Sequence, residues 1–228
     1  EALAATGGAD GKVRTFDCGA SKAKATMKGH SGQVTRVRLH PSKPLVVSCG
    51  HDCSLRVWGL DGKQKLSATP HSAAVTACTL HATGDYCVTA SADRSWALSD
   101  LDRGESILSV KDAAAGYTCA GFHPDGLILG TGTDRVVRVW DIKSQTNVAN
   151  FEGHEGAVNC LSFSENGYYL ATGSDDASVK LWDLHAARAE PSATSARLRF
   201  SPPAPHRRSP RTSQAQAQEL QHNRRRRA

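Results

Sequence analysis

His30, Ser48 and Asp52 are the residue types of a hydrolase triad: a base, a hydroxyl nucleophile and a carboxylate that orients the base. The same trio returns as His71, Thr89 and Asp93, and again as His154, Thr172 and Asp176. A reaction centre needs one such set in one cleft, so a set that recurs along the chain speaks for structure. A second candidate chemistry lies in Cys49-Gly50-His51-Asp52-Cys53, which offers soft and borderline metal ligands. No second ligand pair with usable spacing follows it, and the repeat register makes it the end of a strand and its turn. No Gly-rich phosphate loop, activated Cys–His pair or paired carboxylates in one pocket remain. The residues imply a binding scaffold with no metal, no cofactor and no reaction of its own.

The elements that hold these residues repeat. An Asp six residues before a closing position appears as Asp10, Asp52, Asp93, Asp134 and Asp176, at steps of 42, 41, 41 and 42. The closing position reads Phe16, Trp58, Ser99, Trp140 and Trp182, and an opening His stands at 30, 71 and 154. It is missing where Asp112 or Ala113 falls, and the alignment puts Gly130 opposite Ser48, Thr89 and Thr172, so the fourth unit is expected to lack the polar set. Between these landmarks lie short runs rich in Val, Leu, Phe and Tyr, bounded by Gly, Asn and Asp, which read as antiparallel strands. The units cover about residues 3–17, 28–60, 71–101, 116–142 and 153–184.

Composition divides the chain. Residues 186–228 carry ten Arg, no Lys and two Glu, a net +8, whereas residues 1–185 carry 18 basic and 20 acidic residues. The tail is rich in Pro, Ser and Gln without periodicity, so it is expected to be disordered. Its Arg clusters suit nuclear import or RNA contact, although the abrupt change of composition fits an ending foreign to the repeats better. Seven cysteines scattered over separate strands suit a reducing compartment. No apolar run reaches the length of a membrane span. The N-terminus enters in mid-unit, and the chain reads as a fragment.

A Gly-His pair, three strands and a Trp-Asp pair at this period resemble a WD-repeat propeller blade. The resemblance implies an all-β β-propeller of about five blades, an open arc of a seven-bladed ring with exposed end faces. It also implies that His30, Ser48, Asp52 and Trp58, with His71, Thr89 and Asp93 and with His154, Thr172, Asp176 and Trp182, form buried hydrogen-bond networks. Loops entering the first strand and joining the second to the third make the usual recognition face. In this register they present Thr35, His51, Thr76, Thr133, Asn159 and Asp175 as exposed partner-binding candidates.

More specific strings are present. His81-Ala82-Thr83-Gly84-Asp85-Tyr86, Phe122-His123-Pro124-Asp125-Gly126-Leu127-Ile128, Thr146-Asn147-Val148-Ala149-Asn150-Phe151 and Phe163-Ser164-Glu165-Asn166-Gly167-Tyr168-Tyr169-Leu170-Ala171-Thr172 resemble the propeller of the pre-mRNA-processing factor 19 family, over about residues 3–184. In that family a U-box acts as a ubiquitin ligase, a coiled coil makes a tetramer and the propeller recruits partners for splicing and DNA repair in the nucleus. The resemblance implies partners in the spliceosome-activating complex and among ubiquitylation substrates, no membrane, and nucleic acid only indirectly or through the basic tail. It covers neither U-box nor coiled coil, so ligase activity is not carried over to these residues. A rival from the same fold, the substrate receptor of a cullin-type ligase, favours Arg two residues beyond the Trp-Asp pair, where this chain has Lys143 and His185.

Overall fold

A computed structural model describes residues 3–20, 22–111 and 115–184. The expected tail at 186–228, together with His185, Asp112 and Ala113, lies outside the described residues. Among those described, every regular element is a strand, and the strands form five successive antiparallel sheets. The first holds β1 (Leu3–Gly7), β2 (Lys12–Asp17) and β3 (Lys22–Lys28). The second holds β4 (Val34–Leu39), β5 (Leu45–Gly50), β6 (Leu55–Gly59) and β7 (Gln64–Ala68). The third runs β8 (Val75–Leu80), β9 (Tyr86–Ser91), β10 (Ser95–Asp100) and β11 (Ser106–Lys111). The fourth runs β12 (Cys119–Phe122), β13 (Ile128–Gly132), β14 (Val136–Asp141) and β15 (Thr146–Glu152). The fifth holds β16 (Val158–Phe163), β17 (Tyr169–Ser174) and β18 (Val179–Asp183). Each strand pairs with its neighbour in sequence, so every sheet is an up-and-down meander and the whole is a partial β-propeller.

The units read from the sequence and the sheets do not share boundaries. Each of the middle sheets takes a fourth strand (β7, β11 or β15) from the residues after the Trp-Asp position, outside the stretches 28–60, 71–101 and 116–142. Most of β3 likewise falls between two stretches. These outer strands are buried on one side only, with burial alternating along β11 and β15. They interleave Lys, Ser and Asn with Leu, Val and Phe and give no continuous apolar run.

Apolar burial is divided among four sheet-to-sheet interfaces. Val13 and Met27 of the first sheet meet Val34, Val46 and Trp58 of the second. Val47, Cys49, Leu55 and Val57 then meet Val75, Cys78, Cys87 and Leu101 of the third. Trp96, Val88 and Ala90 meet Tyr117, Leu129 and Trp140 of the fourth. Val137, Val139 and Phe151 close the series against Val158, Leu170 and Trp182 of the fifth. The second strand of each middle sheet supplies both directions: in the second sheet Val46 looks back and Val47 forward. A strand covered on both faces carries a continuous apolar run, as Leu45-Val46-Val47 does.

Tight turns fix the register. In the hairpin joining β1 to β2, and in those joining the second and third strands of the second, third and fifth sheets, Gly11, Cys53, Arg94 and Ala177 take the same place with φ of 71°, 62°, 69° and 58°. A side chain in that left-handed conformation costs about 1–2 kcal/mol, which the hydrogen bonds of the preceding Asp offset. The metal-like cluster resolves accordingly: Cys53 is that turn residue with Sγ on the His51 carbonyl, while Cys49 points into the interface with Cys78 and Cys87.

Candidate functional site

The polar set of the second sheet is assembled by β5, β6, the turn between them and the loop before β4. His30 Nδ1 lies 2.9 Å from Asp52 Oδ2, its Nε2 lies 2.8 Å from Ser48 Oγ, and the Trp58 indole N–H donates to Ser48 Oγ at 2.8 Å. Burial pushes the His30 pKa down against the pull of Asp52. Burial alone would raise Asp52, but hydrogen bonds from His30 and Ser54 leave it below the usual carboxylate range. The pair is therefore neutral imidazole beside carboxylate. Nδ1–H donates to Asp52, and Nε2 accepts the Ser48 hydroxyl proton. Ser48 in turn accepts from Trp58, so both ring nitrogens of His30, the Ser48 hydroxyl and the Trp58 N–H all have partners.

The fifth sheet repeats this arrangement. His154 Nδ1 is 2.9 Å from Asp176 Oδ2, His154 Nε2 is 2.8 Å from Thr172 Oγ1, and Trp182 donates to Thr172 at 2.8 Å. In the third sheet His71 holds Asp93 at 3.2 Å and Thr89 at 2.9 Å. Ser99 stands in the Trp slot, and Trp96 points instead into the interface with the fourth sheet. Burial lowers the His71 pKa, and hydrogen bonds led by Ser95 outweigh burial to hold Asp93 at about 2. Ser48, Thr89 and Thr172 are 0–1% exposed, so their hydroxyls are shielded from solvent.

The fourth sheet departs from the expectation drawn for it. Gly130 does not occupy the hydroxyl slot; Thr131 does, and Trp140 donates to its Oγ1 at 2.9 Å. The pairing shows the offset: Ser48 faces Arg56 and Thr131 faces Arg138, but Trp58 is ten residues from Ser48 and Trp140 nine from Thr131. The hairpin after Thr131 is one residue shorter, so counting back from the Trp lands on Gly130. Half of the network survives there, a Trp–hydroxyl pair. Gly130 has its own reason: an added Cβ would lie 2.9 Å from Phe163 Cζ of the next sheet.

Sequence reasoning passed over three groups. Ser54, Ser95 and Ser178 stand two residues after each network Asp and donate to it at 2.8, 2.6 and 2.5 Å. They recur at the period of the repeat, which was the available signal. Thr118 bonds the carbonyls of Gly132 and Val158, tying the fourth sheet to the fifth. At the opposite ends of the first strands, His40, His81 and His123 stack over Gly84, Gly126 and Gly167 of the following sheet, where any Cβ would overlap the imidazole. His123 Nε2–H also donates to the Gly167 carbonyl at 2.9 Å.

The partner-binding candidates separate. Thr35 and Thr76 are half-buried bulge residues whose hydroxyls donate across the sheet boundary to Val75 O at 2.6 Å and Tyr117 O at 2.7 Å. Thr133 is buried, its hydroxyl on Val136 O. The expected exposure of these three is corrected: bulges turn the Thr35 and Thr76 hydroxyls toward the next sheet instead of solvent, and the Thr133 hydroxyl turns back onto its own hairpin. His51, Asn159 and Asp175 are exposed, and the Asn159 amide donates to Asp175 Oδ1.

A family model described as "WD domain, G-beta repeat" matches residues 21–59, 62–98, 105–141 and 145–183. Pre-mRNA-processing factor 19 of Homo sapiens and that of Bos taurus are each 50% identical to the chain over 55 residues, 24% of this chain and 11% of theirs. The Striatin homolog of Dictyostelium discoideum is 34% identical over 61 residues, 27% of this chain and 7% of its own length. The matched segments thus span a small part of those proteins. With the model covering more than half of its residues, and with the repeated Asp–His–hydroxyl–Trp networks between strands, the chain belongs to the WD-repeat family of β-propeller proteins.

Proposed function

We propose that this protein recruits partners to a nuclear pre-mRNA splicing and ubiquitin-ligase scaffold that also acts in DNA repair. WD repeats make a protein-interaction module, and the network residues Ser48, Thr89 and Thr172 are buried. The finer reading is carried by the 50% identity to pre-mRNA-processing factor 19. The exposed triplet His51, Asn159 and Asp175 supplies the surface, and proteins of the spliceosome-activating complex and ubiquitylation substrates are its partners. The cullin-receptor alternative is disfavoured by Lys143 in place of Arg beyond the fourth Trp-Asp pair.

The test uses the full chain immobilised in nuclear extract, with bound proteins identified by mass spectrometry. Enrichment of spliceosome-activating proteins is expected, reduced by Asp175→Lys with an unchanged circular dichroism spectrum. Recovery of cullin-ligase scaffold proteins alone, or of nothing specific, would overturn the reading.

A further inference from the structure

The first sheet packs one face on its neighbour, through Val13, Met27 and Ala5. Side chains alternate along β2, so Lys12, Arg14 and Phe16 share the opposite face, and all three are half-buried. Strand pairing sets the exposed Lys28 of β3 directly opposite Lys12, and puts Ala4 and Ala23 on either side of Phe16. Like charges opposed across a ladder are destabilising. The corresponding pairs of the third and fourth sheets are Ser95 with Lys111 and Val136 with Glu152. Asp10 offsets part of the charge, at 2.6 Å from Arg14 and 3.5 Å from Lys12, but exposed pairs of this kind contribute little. The balance stays positive: residues 3–28 hold five Lys or Arg and two Asp, whereas residues 29–184 hold 13 basic and 17 acidic residues.

Phe16 decides which polyanion suits this face. With only methyl groups beside it in the ladder, the ring keeps part of its surface in water, on the same side as the cations. An aromatic ring and cations on one strand face are what an unpaired nucleotide needs, a surface for its base and a counter-charge for its phosphate. An acidic peptide would use the cations and leave the ring idle, and a duplex keeps its bases stacked on one another. We propose that the outward face of β2 and β3 binds single-stranded nucleic acid, with Phe16 stacked on a base and Lys12 and Lys28 on phosphates. Arg14, held by Asp10, stands between them, and Lys12 to Phe16 spans about 13 Å along the strand. This activity is separate from the partner recruitment proposed above and uses a different surface from His51, Asn159 and Asp175.

The full chain is titrated into a fluorescein-labelled oligouridylate and followed by anisotropy, and a 5-iodouridine version of the same oligonucleotide is photo-cross-linked and mapped by mass spectrometry. Cross-links are expected at Phe16. Phe16→Ala should weaken binding on the order of tenfold, the worth of one stacked base. Lys12→Gln/Lys28→Gln should lower the slope of log K against log salt by about 1.4, two phosphate contacts on a single strand. Both variants alter side chains outside the four sheet interfaces, and an unchanged circular dichroism spectrum confirms their fold. Cross-links confined to residues 186–228, or affinity and salt slope unchanged in the variants, overturn the proposal. Displacement by oligoglutamate as effective as by unlabelled oligouridylate also overturns it and assigns the face to an acidic protein.

Discussion

Replacing the network threonines by valine gives a graded test of how these sheets are held. Valine keeps the side-chain shape and removes the hydroxyl, and the three positions differ in what that hydroxyl serves. Thr172 bonds both His154 Nε2 and Trp182 Nε1. Thr89 bonds His71 Nε2 but no indole, because Ser99 holds the Trp slot. Thr131 bonds Trp140 Nε1 and has no opening His. A buried polar atom left without a partner costs about 1–3 kcal/mol. Thr172→Val orphans two such atoms and should cost about 2–6 kcal/mol by the same measure. Thr89→Val and Thr131→Val orphan one each and should each cost roughly half as much. Urea titration at pH 7, followed by tryptophan fluorescence, gives the ranking through the midpoint if the slope is unchanged. Equal losses at all three sites, or the largest loss at Thr131, would refute the view that the hydroxyl's stabilisation comes from the number of buried partners it satisfies.

Two further outcomes follow from the same geometry. Acid should destabilise the fold continuously: burial holds His30 and His71 below their ordinary value of 6.5, so the unfolded chain takes up protons that the folded chain refuses. Asp93, held at about 2 against an ordinary 3.8, contributes stability that is present above 3.8 and lost as the pH falls toward 2. The urea midpoint should therefore drop between pH 7 and 5 and drop again below pH 4; a midpoint that rises on acidification contradicts the assignment of neutral His beside ionised Asp. Gly126→Ala should cost about 1–2 kcal/mol for its left-handed backbone, at φ 73°, and more from overlap with His81. A thermal melt unchanged by that substitution would show that the His-over-Gly contacts do not couple neighbouring sheets.

The sequence by itself determined the repeat, and with it the all-β class and the meander of each sheet. A period of 41 or 42 residues in Asp, His and Trp is a one-dimensional signal, and strand pairing between sequence neighbours needs no long-range information. It also determined that His30, Ser48 and Asp52 are structural, because a constellation that recurs cannot be a single reaction centre. Tertiary structure alone decided the rest. The outer strands β7, β11 and β15 bury one side only, so their alternating Lys, Ser and Val were too weak a pattern to bound. A hairpin one residue shorter moved the hydroxyl slot from Gly130 to Thr131, which fixed spacing from a single landmark could not register. Thr35 and Thr76 share a place with Asn159 along the repeat, yet the two Thr hydroxyls bond carbonyls of the following sheet while Asn159 reaches Asp175 across its own hairpin. Which way a bulge aims a side chain depends on what packs beyond it, and that neighbour lies some forty residues away in the chain.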